Sequence, residues 1–424
     1  MPGCKDKSKD QNSGSELAGS VPSGSASADA AKSASKRSSA KSANSWVADP
    51  APESSATTSS AVGSGSARSA KSRLVVDTSK PATDLGSSAP VALNRDMMVA
   101  RDKEDNLIVL SRSGKFYESI VVPDEAISLS SVSLAWSSPP FDSPGGSKTR
   151  AYWVSNGQLV RRDVFADGSQ GPKKVLTSDA AAGYSVAVAR TSDRDQRDVV
   201  VYVGYQQSEP KERVARIWVD GQASRPVSTD SGGASSVAIL PLGPRGFVLL
   251  TLDGRLAISP VHAVSVDLDE QGRPNLGDDK VVYVSGPSER YTAITGLLVG
   301  QRPVMLLPTS KTTLEFGMMV YRVGDDQDSA TWVDYPNGLD PAPIAVSNIC
   351  GVPAVAYAHH STSDGGSDKL VEVGWFDESL NLVDRQVIDS ARTIYHVAMW
   401  GDSAGGVIVY STPTGLRGRQ IGCK

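Results

Sequence analysis

Polar turn signals return at nearly constant intervals through most of this 424-residue chain, and that period restricts the fold more than any other feature of the sequence. They are SRSGKF around Gly114, FADGSQ around Gly168, WVDGQA around Gly221, LDEQGR around Gly272, VGDDQD around Asp326 and FDESLN around Glu378, spaced by 54, 53, 51, 54 and 52 residues. A second series matches them: MMVAR at 97–101, SVSLAW at 131–136, YSVAVAR at 184–190, SSVAIL at 235–240, YTAITGLL at 291–298, IAVSNI at 344–349 and YHVAMW at 395–400. The second series has seven members, so the chain is read as seven units, each opened by one of these segments as its inner strand.

Between these landmarks the apolar runs are short and β-branched, as in 199-VVVYVGY-205, 303-PVMLLP-308 and 406-GVIVYST-412, and Gly, Pro, Asp and Ser bound them. Such runs read as strands, and the lack of intervening helical stripes argues against a parallel α/β sheet. Each unit supplies an inner strand, a second such as 199–205, a third such as RVARIWV or KLVEVGWF, and a fourth such as RQVID or KVVYV. Four antiparallel strands repeated in this way cannot bury both faces alone and must pack against their neighbours. The expected fold is all-β: a seven-bladed β-propeller of four-stranded blades over residues 72–424. A pair of β-sandwiches is the rival architecture, and the regular beat favours one ring. The seventh unit lacks its last strand, and 73-RLVVDTS-79 is available to fill it, so an N-terminal strand is expected to close the ring and remove an open edge.

Residues 1–71 differ in kind. The first 70 hold 20 Ser and 14 Ala with one aromatic, Trp46, too little apolar surface to offset the entropy of ordering a backbone. They are expected to form a disordered tether. The whole chain carries 43 Lys plus Arg against 47 Asp plus Glu, with the basic residues scattered, which excludes the concentrated positive footprint of a nucleic-acid binder. No run of 18 apolar residues exists to span a bilayer as a helix.

The opening MPGC, with Gly3-Cys4 followed by a charged, Ser-rich tether, resembles the lipidation site and mature start of a bacterial lipoprotein. The positively charged and apolar portions of the usual signal are missing from the sequence as written, so a misplaced start, a trimmed sequence and an ordinary exposed thiol remain alternatives. The repeats of residues 72–424 resemble exported bacterial propeller proteins, without the WD dipeptides, kelch-like double glycines or Asp-boxes of more specific propeller families. The resemblance implies a lipid on Cys4, membrane contact only through that anchor, and a place in the cell envelope, at the outer membrane or in the periplasm. Without an upstream signal the protein would stay in the cytoplasm. The other two cysteines, Cys350 and Cys423, form no C-x-x-C pair. They are either bridged, which would pin the carboxyl terminus in an oxidising compartment, or two unrelated thiols.

Catalytic signatures are sparse. The string 401-GDSAG-405 has the nucleophile form G-x-S-x-G, but the strand that follows suits a hairpin turn better than the strand-to-helix elbow that would lift Ser403. His262, His359, His360 and His396 are the only histidines, and adjacent residues such as His359-His360 point to opposite faces of a strand, a poor metal clamp. The acids at 325, 326 and 328 lie in turn-like sequence, where Asp side chains accept backbone N–H groups; a weak cation site is the alternative there. No catalytic, cofactor-binding or metal-binding residue is assigned, and no cofactor is expected. Trp136, Trp153, Tyr205, Tyr291 and Trp400 fall at or near strand ends, where rings either pack between blades or form a stacking rim. The preferred reading is a non-catalytic envelope protein that binds or scaffolds a protein or glycan through that rim. The alternative is a propeller-type hydrolase or lyase acting on a carbohydrate or peptide in the central funnel, which would need convergent acids, or a histidine beside an acid, in that funnel.

Overall fold

The computed structural model describes residues 74–424 apart from 87–88, 95–96, 102–106, 112–115, 122–131, 138–147, 166–167, 207–211, 229–232, 255–258, 287–288, 292, 311–315, 327–328, 335–343 and 361–367. The tether with Cys4 therefore lies outside the described residues.

Two short strands, β1 (Leu74–Val76) and β2 (Thr83–Gly86), precede a ring of seven antiparallel sheets. Blade 1 holds β3 (Ala89–Leu93), β4 (Met97–Arg101), β5 (Leu107–Ser111) and β6 (Phe116–Val121), and blade 2 holds β7 (Val132–Ser137), β8 (Lys148–Ser155), β9 (Gln158–Phe165) and β10 (Lys174–Thr177). Blade 3 is β11 (Val186–Arg190), β12 (Asp198–Tyr205), β13 (Arg213–Val219) and β14 (Arg225–Pro226). In blade 4, β15 (Ala234–Pro241), β16 (Gly246–Asp253) and β17 (Pro260–Leu268) share an outer edge split into β18 (Pro274–Leu276) and β19 (Lys280–Val284). In blade 5 the inner edge is split into β20 (Arg290–Tyr291) and β21 (Thr295–Val299), followed by β22 (Arg302–Ser310), β23 (Phe316–Arg322) and β24 (Thr331–Asp334). Blade 6 is β25 (Ile344–Ile349), β26 (Val352–His360), β27 (Lys369–Phe376) and β28 (Leu382–Ala391), and blade 7 is β29 (Val397–Asp402), β30 (Gly405–Thr412) and β31 (Gly415–Cys423).

The ring closes as the sequence implies. Strand β1 lies antiparallel on β31 with Leu74 opposite Cys423 and Val76 opposite Ile421, so the outer place of blade 7 is filled from the front of the chain. Strand β2 extends the same edge, Thr83 facing Gly418 and Gly86 facing Leu416. One assignment changes. MMVAR at 97–101 is the second strand of blade 1, and the inner position belongs to β3, which pairs Ala89 with Arg101 and Leu93 with Met98.

The hairpin turns that set the period join the third and fourth strands. Two share one chemistry: Asp269 Oδ1 accepts the N–H groups of Gln271 and Arg273, and Asp377 Oδ1 accepts those of Ser379 and Asn381. The fourth residue of each turn takes a left-handed conformation, Gly272 at φ 77° and Leu380 at φ 64°. Glycine meets that demand without strain, whereas Leu380 meets it with its side chain buried between blades 5 and 6.

Because neighbouring strands alternate in direction, the first-to-second and third-to-fourth turns crowd one face of the ring, here the turn face. The second-to-third turns and the links between blades share the other, the link face. Contacts between successive blades follow this division on the turn face: Ser192 N donates to Pro244 O, Arg322 to Glu378 O, and Cys350 N to Asp402 O at 2.7 Å.

Apolar side chains fill the seams between blades. A tyrosine near the middle of the second strand recurs in four blades, as Tyr152, Tyr202, Tyr357 and Tyr410, each fully buried. Each hydroxyl donates to a carboxylate: Tyr152 to Asp198 at 2.5 Å, Tyr202 to Asp179 at 2.6 Å, Tyr357 to Glu372 at 2.6 Å, and Tyr410 to Asp389. Burial raises the phenol pKa values of Tyr152, Tyr202 and Tyr410, that of Tyr202 to about 12, so these three hydroxyls stay protonated donors. An unmade hydrogen bond at such a site costs about 1–3 kcal/mol, which explains why each ring has a partner.

The disulfide joins Cys350, in the β25–β26 turn of blade 6, to Cys423, at the end of β31, with Cα atoms 5.4 Å apart and a sequence separation of 73. It fastens the last strand of the closing blade to its neighbour. Among the described residues no helix is long and apolar enough to cross a membrane.

Candidate functional site

The titratable groups that could serve chemistry are mostly spent on tying strands to one another, within a blade or between blades. Glu372 on β27 receives Tyr357, His359 Nε2 at 3.0 Å and two bonds from Arg385 at 3.0 and 2.8 Å. Burial would raise its pKa, but the hydrogen bonds from His359, Arg385 and Tyr357 outweigh that and hold it at about 2. His359 and Glu372 are both under 10% exposed. Between blades 2 and 3, Asp198 is buried under Arg150 and Arg190, while Arg150 and Arg161 also reach Asp220. His262 on β17 pairs with Asp279 at 3.0 Å. Two histidines thus do stand beside acids, yet on the second strand of blade 6 and the third of blade 4, away from the inner strands that line the channel.

Other candidates also find local roles. Ser403 lies in the β29–β30 turn, where Asp402 pairs with Gly405 and Ala404 N donates to Asp402 Oδ1, a hairpin with no helix after it. Asp325 is engaged by Arg302 and, at 4.0 Å, by Arg322; Asp328 lies outside the described residues. No group of three or more metal-ligating side chains occurs among the described residues.

The five rings singled out by sequence part ways. Trp153 is fully buried in the seam between blades 1 and 2, so its ring is unavailable to a ligand. Tyr205, at the link-face end of β12, is 37% exposed. Tyr291 is half-buried, packs edge-on against Tyr283 and donates its hydroxyl to Glu289. The side chain of Trp136 lies outside the described residues. Trp400 is half-buried and borders a cleft of about 530 Å³.

That cleft is a trough across blade 7. Its lining runs from Trp400 and Asp402 on β29, through Gly405 and Val407 on β30 and Gly418, Gln420 and Gly422 on β31, to Thr83 and Leu85 on β2. The residues explain the opening. Alternate side chains of a strand share a face, so positions 418, 420 and 422 of β31 look the same way; Leu85 of β2 covers Gly418, and Gly422 has no side chain to fill the space beyond it. The same face is packed further along, where Leu85, Val409 and Leu416 meet Met98, Ile108 and Leu110 of blade 1. The opposite face of blade 7 is filled as well: Ile408, Tyr410 and Ile421 pack on Val371, Val373 and Ile388 of blade 6.

Polar groups around the trough are unevenly committed. Arg419 donates to Asp77 O and Lys80 O, clamping the β1–β2 connection. Gln420, Asp402 and Thr83 are exposed. Trp400 had been legible as a strand-end ring; the glycine-lined floor had not, because glycines in β31 are as readily read as turn residues.

No protein-family model matches the sequence, and no curated protein matches it. Among solved structures, a puromycin hydrolase mutant complexed with PGG is similar over 77% of this chain and 50% of that one, at 16% identity and a TM-score of 0.48. AofleA from Arthrobotrys oligospora is similar over 82% of this chain and 86% of its own, at 12% identity and a TM-score of 0.42. A prolyl endopeptidase is similar over 81% of this chain and 46% of its own, at 11% identity and a TM-score of 0.42. The chain spans half of the puromycin hydrolase chain and less than half of the endopeptidase chain. Likeness at this level is one of architecture.

Proposed function

We propose that this protein is a non-catalytic recognition protein of the cell envelope, which binds a protein or glycan through the turn-face rim at the closing blade. The observation that carries the reading is the trough beside Trp400, an opening of about 530 Å³ with exposed polar walls. Binding sites combine an apolar or aromatic surface with a few polar groups that fix orientation. The alternative, a hydrolase or lyase in the central funnel, would use an open acid–base pair there, and the His262 and His359 pairs sit elsewhere.

Envelope placement is part of the proposal. The Cys350–Cys423 bridge supports an oxidising compartment, and the MPGC start resembles a lipidation site at Cys4. Capture from native envelope, with the full chain and a Trp400→Ala/Gln420→Ala variant as baits, tests the reading. Recognition predicts a protein or glycan retained by the full chain, released by the variant and chemically unchanged on elution. Equal retention by both baits, or turnover of the captured material, would contradict it.

A further inference from the structure

The turn-face end of β31 overhangs its sheet. On one side its pairing with β30 stops at Ile421, opposite Gly406. On the other side it runs further, with Val75 opposite Gly422 and Leu74 opposite Cys423. Those last pairs make a two-stranded tip, and two strands without a third are marginally stable in water. One step inward the hold is firm: Ile421 is buried, and Gln386 of β28 accepts from Val76 N at 3.3 Å and donates to Val76 O at 2.9 Å. Beyond that point the tip is held to blade 6 by the side chain of Leu74, which joins the blade 6 cluster, and by the bond from Cys423 to Cys350.

Cys350 sits where a cysteine is poorly suited to the backbone. In the β25–β26 turn Cys350 and Gly351 both take left-handed conformations, at φ 57° and 74°. The matching turn of blade 5 has Gly300 in the first of those places, at φ 54°. Glycine adopts that backbone freely and a residue with a Cβ does so with strain, so the bridge is what a cysteine contributes there. The two half-cystines also differ in access. Cys423 is exposed, whereas Cys350 is 5% exposed. An attacking thiolate therefore reaches the bridge from the Cys423 side.

Resting on the recognition reading above, we propose that the Cys350–Cys423 bridge is a redox latch on the trough: closed, it orders the tip that places Gly422 on the trough lining, and opened by a dithiol reductant it releases that tip. One thiolate of the reductant attacks Cys423 Sγ, the S–S bond breaks, and Cys350 leaves as a thiolate that takes up a proton. The second thiol of the reductant then attacks the mixed disulfide and frees Cys423. Two electrons pass to the bridge, which ends as two thiols, and the reductant ends as a disulfide. In an oxidising compartment the latch rests closed.

Hydrogen exchange by mass spectrometry on the full-length protein, oxidised and after dithiothreitol, tests the latch. Reduction is expected to speed exchange at least about tenfold at residues 74–76 and 422–423 while leaving β16 and β17 of blade 4 unchanged, a local opening and not a global one. Cys350→Ser/Cys423→Ser without reductant should exchange like the reduced wild type. Cys350→Gly/Cys423→Ser, which relieves the turn, should match it at the tip and guards against a folding defect in the double serine. As baits for envelope capture, both variants should retain several-fold less than the oxidised wild type. Tip exchange unchanged by reduction, or an increase shared equally by blade 4, overturns the latch; full retention by the double variants beside a loosened tip overturns its hold on the trough. The recognition reading is judged separately, by the Trp400→Ala/Gln420→Ala bait, which keeps both cysteines.

Discussion

The two faces of blade 7 are built from the same three strands and end differently. Toward blade 6, Ile408, Tyr410 and Ile421 meet a full apolar surface, and the disulfide fastens the turn-face end. Toward blade 1, Val409 and Leu416 pack at one end and Leu85 covers Gly418, while Gly422 at the turn-face end leaves space open. The difference lies in one strand's alternation: odd positions of 415-GLRGRQIGC-423 carry Arg417, Arg419 and Ile421, and even positions carry Leu416, Gly418, Gln420 and Gly422. One set anchors the blade. The other makes room.

If the packed seams are structural and the trough is not, perturbing them should separate sharply. The largest effect is expected from replacing both Cys350 and Cys423 by Ser, because the bridge closes a long loop; chain-entropy arguments put the loss at about 4 kcal/mol, read as a lower denaturation midpoint that reductant no longer shifts. Next comes acid. Glu372 has a folded pKa of about 2 against an ordinary 4.5, so its contribution is complete above pH 4.5 and disappears as pH falls from there toward 2. The increment is about 3 kcal/mol, and Glu372→Gln should remove that part of the acid dependence in denaturant titrations at several pH values. By contrast, Gln420→Ala at the trough should change stability by less than about 0.5 kcal/mol.

A smaller effect tests the turn chemistry. Leu380 holds the left-handed place that Gly272 occupies in the sister turn, so Leu380→Ala loses burial and keeps the strain, whereas Leu380→Gly loses burial and releases it. The glycine variant should be the more stable of the two by up to about 1 kcal/mol in paired unfolding curves.

The turn comparison also shows why the ring was legible. Turns announce themselves locally, since Asp269 and Asp377 bond N–H groups two and four residues on, and the period emerges from such signals without long-range information. The closing strand was legible because the last unit lacked one. The first inner strand was not: Ala89–Leu93 carries Pro90 and few branched residues, so the more apolar MMVAR beside it took its place in the reading. Among the rings, Trp153 and Trp400 look alike in sequence. Which seam a strand residue faces depends on its parity against neighbouring strands, and how full that seam is depends on residues hundreds of positions away, such as Leu85 across from Gly418. Burial of Trp153 and the opening at Trp400 are both of that long-range kind.

The central claim is that the blade 7 trough is a binding surface and not a packing defect, and filling it gives the most direct test. A Cβ on Gly422 would meet only Val75 O, at an ordinary 3.7 Å, so the backbone there accepts a side chain. Capture from native envelope with Gly422→Phe and the wild type as baits, with the melting temperature of each, is the measurement. The account predicts an unchanged or slightly higher melting temperature and at least about tenfold less retained partner; wild-type retention by the filled variant would contradict it.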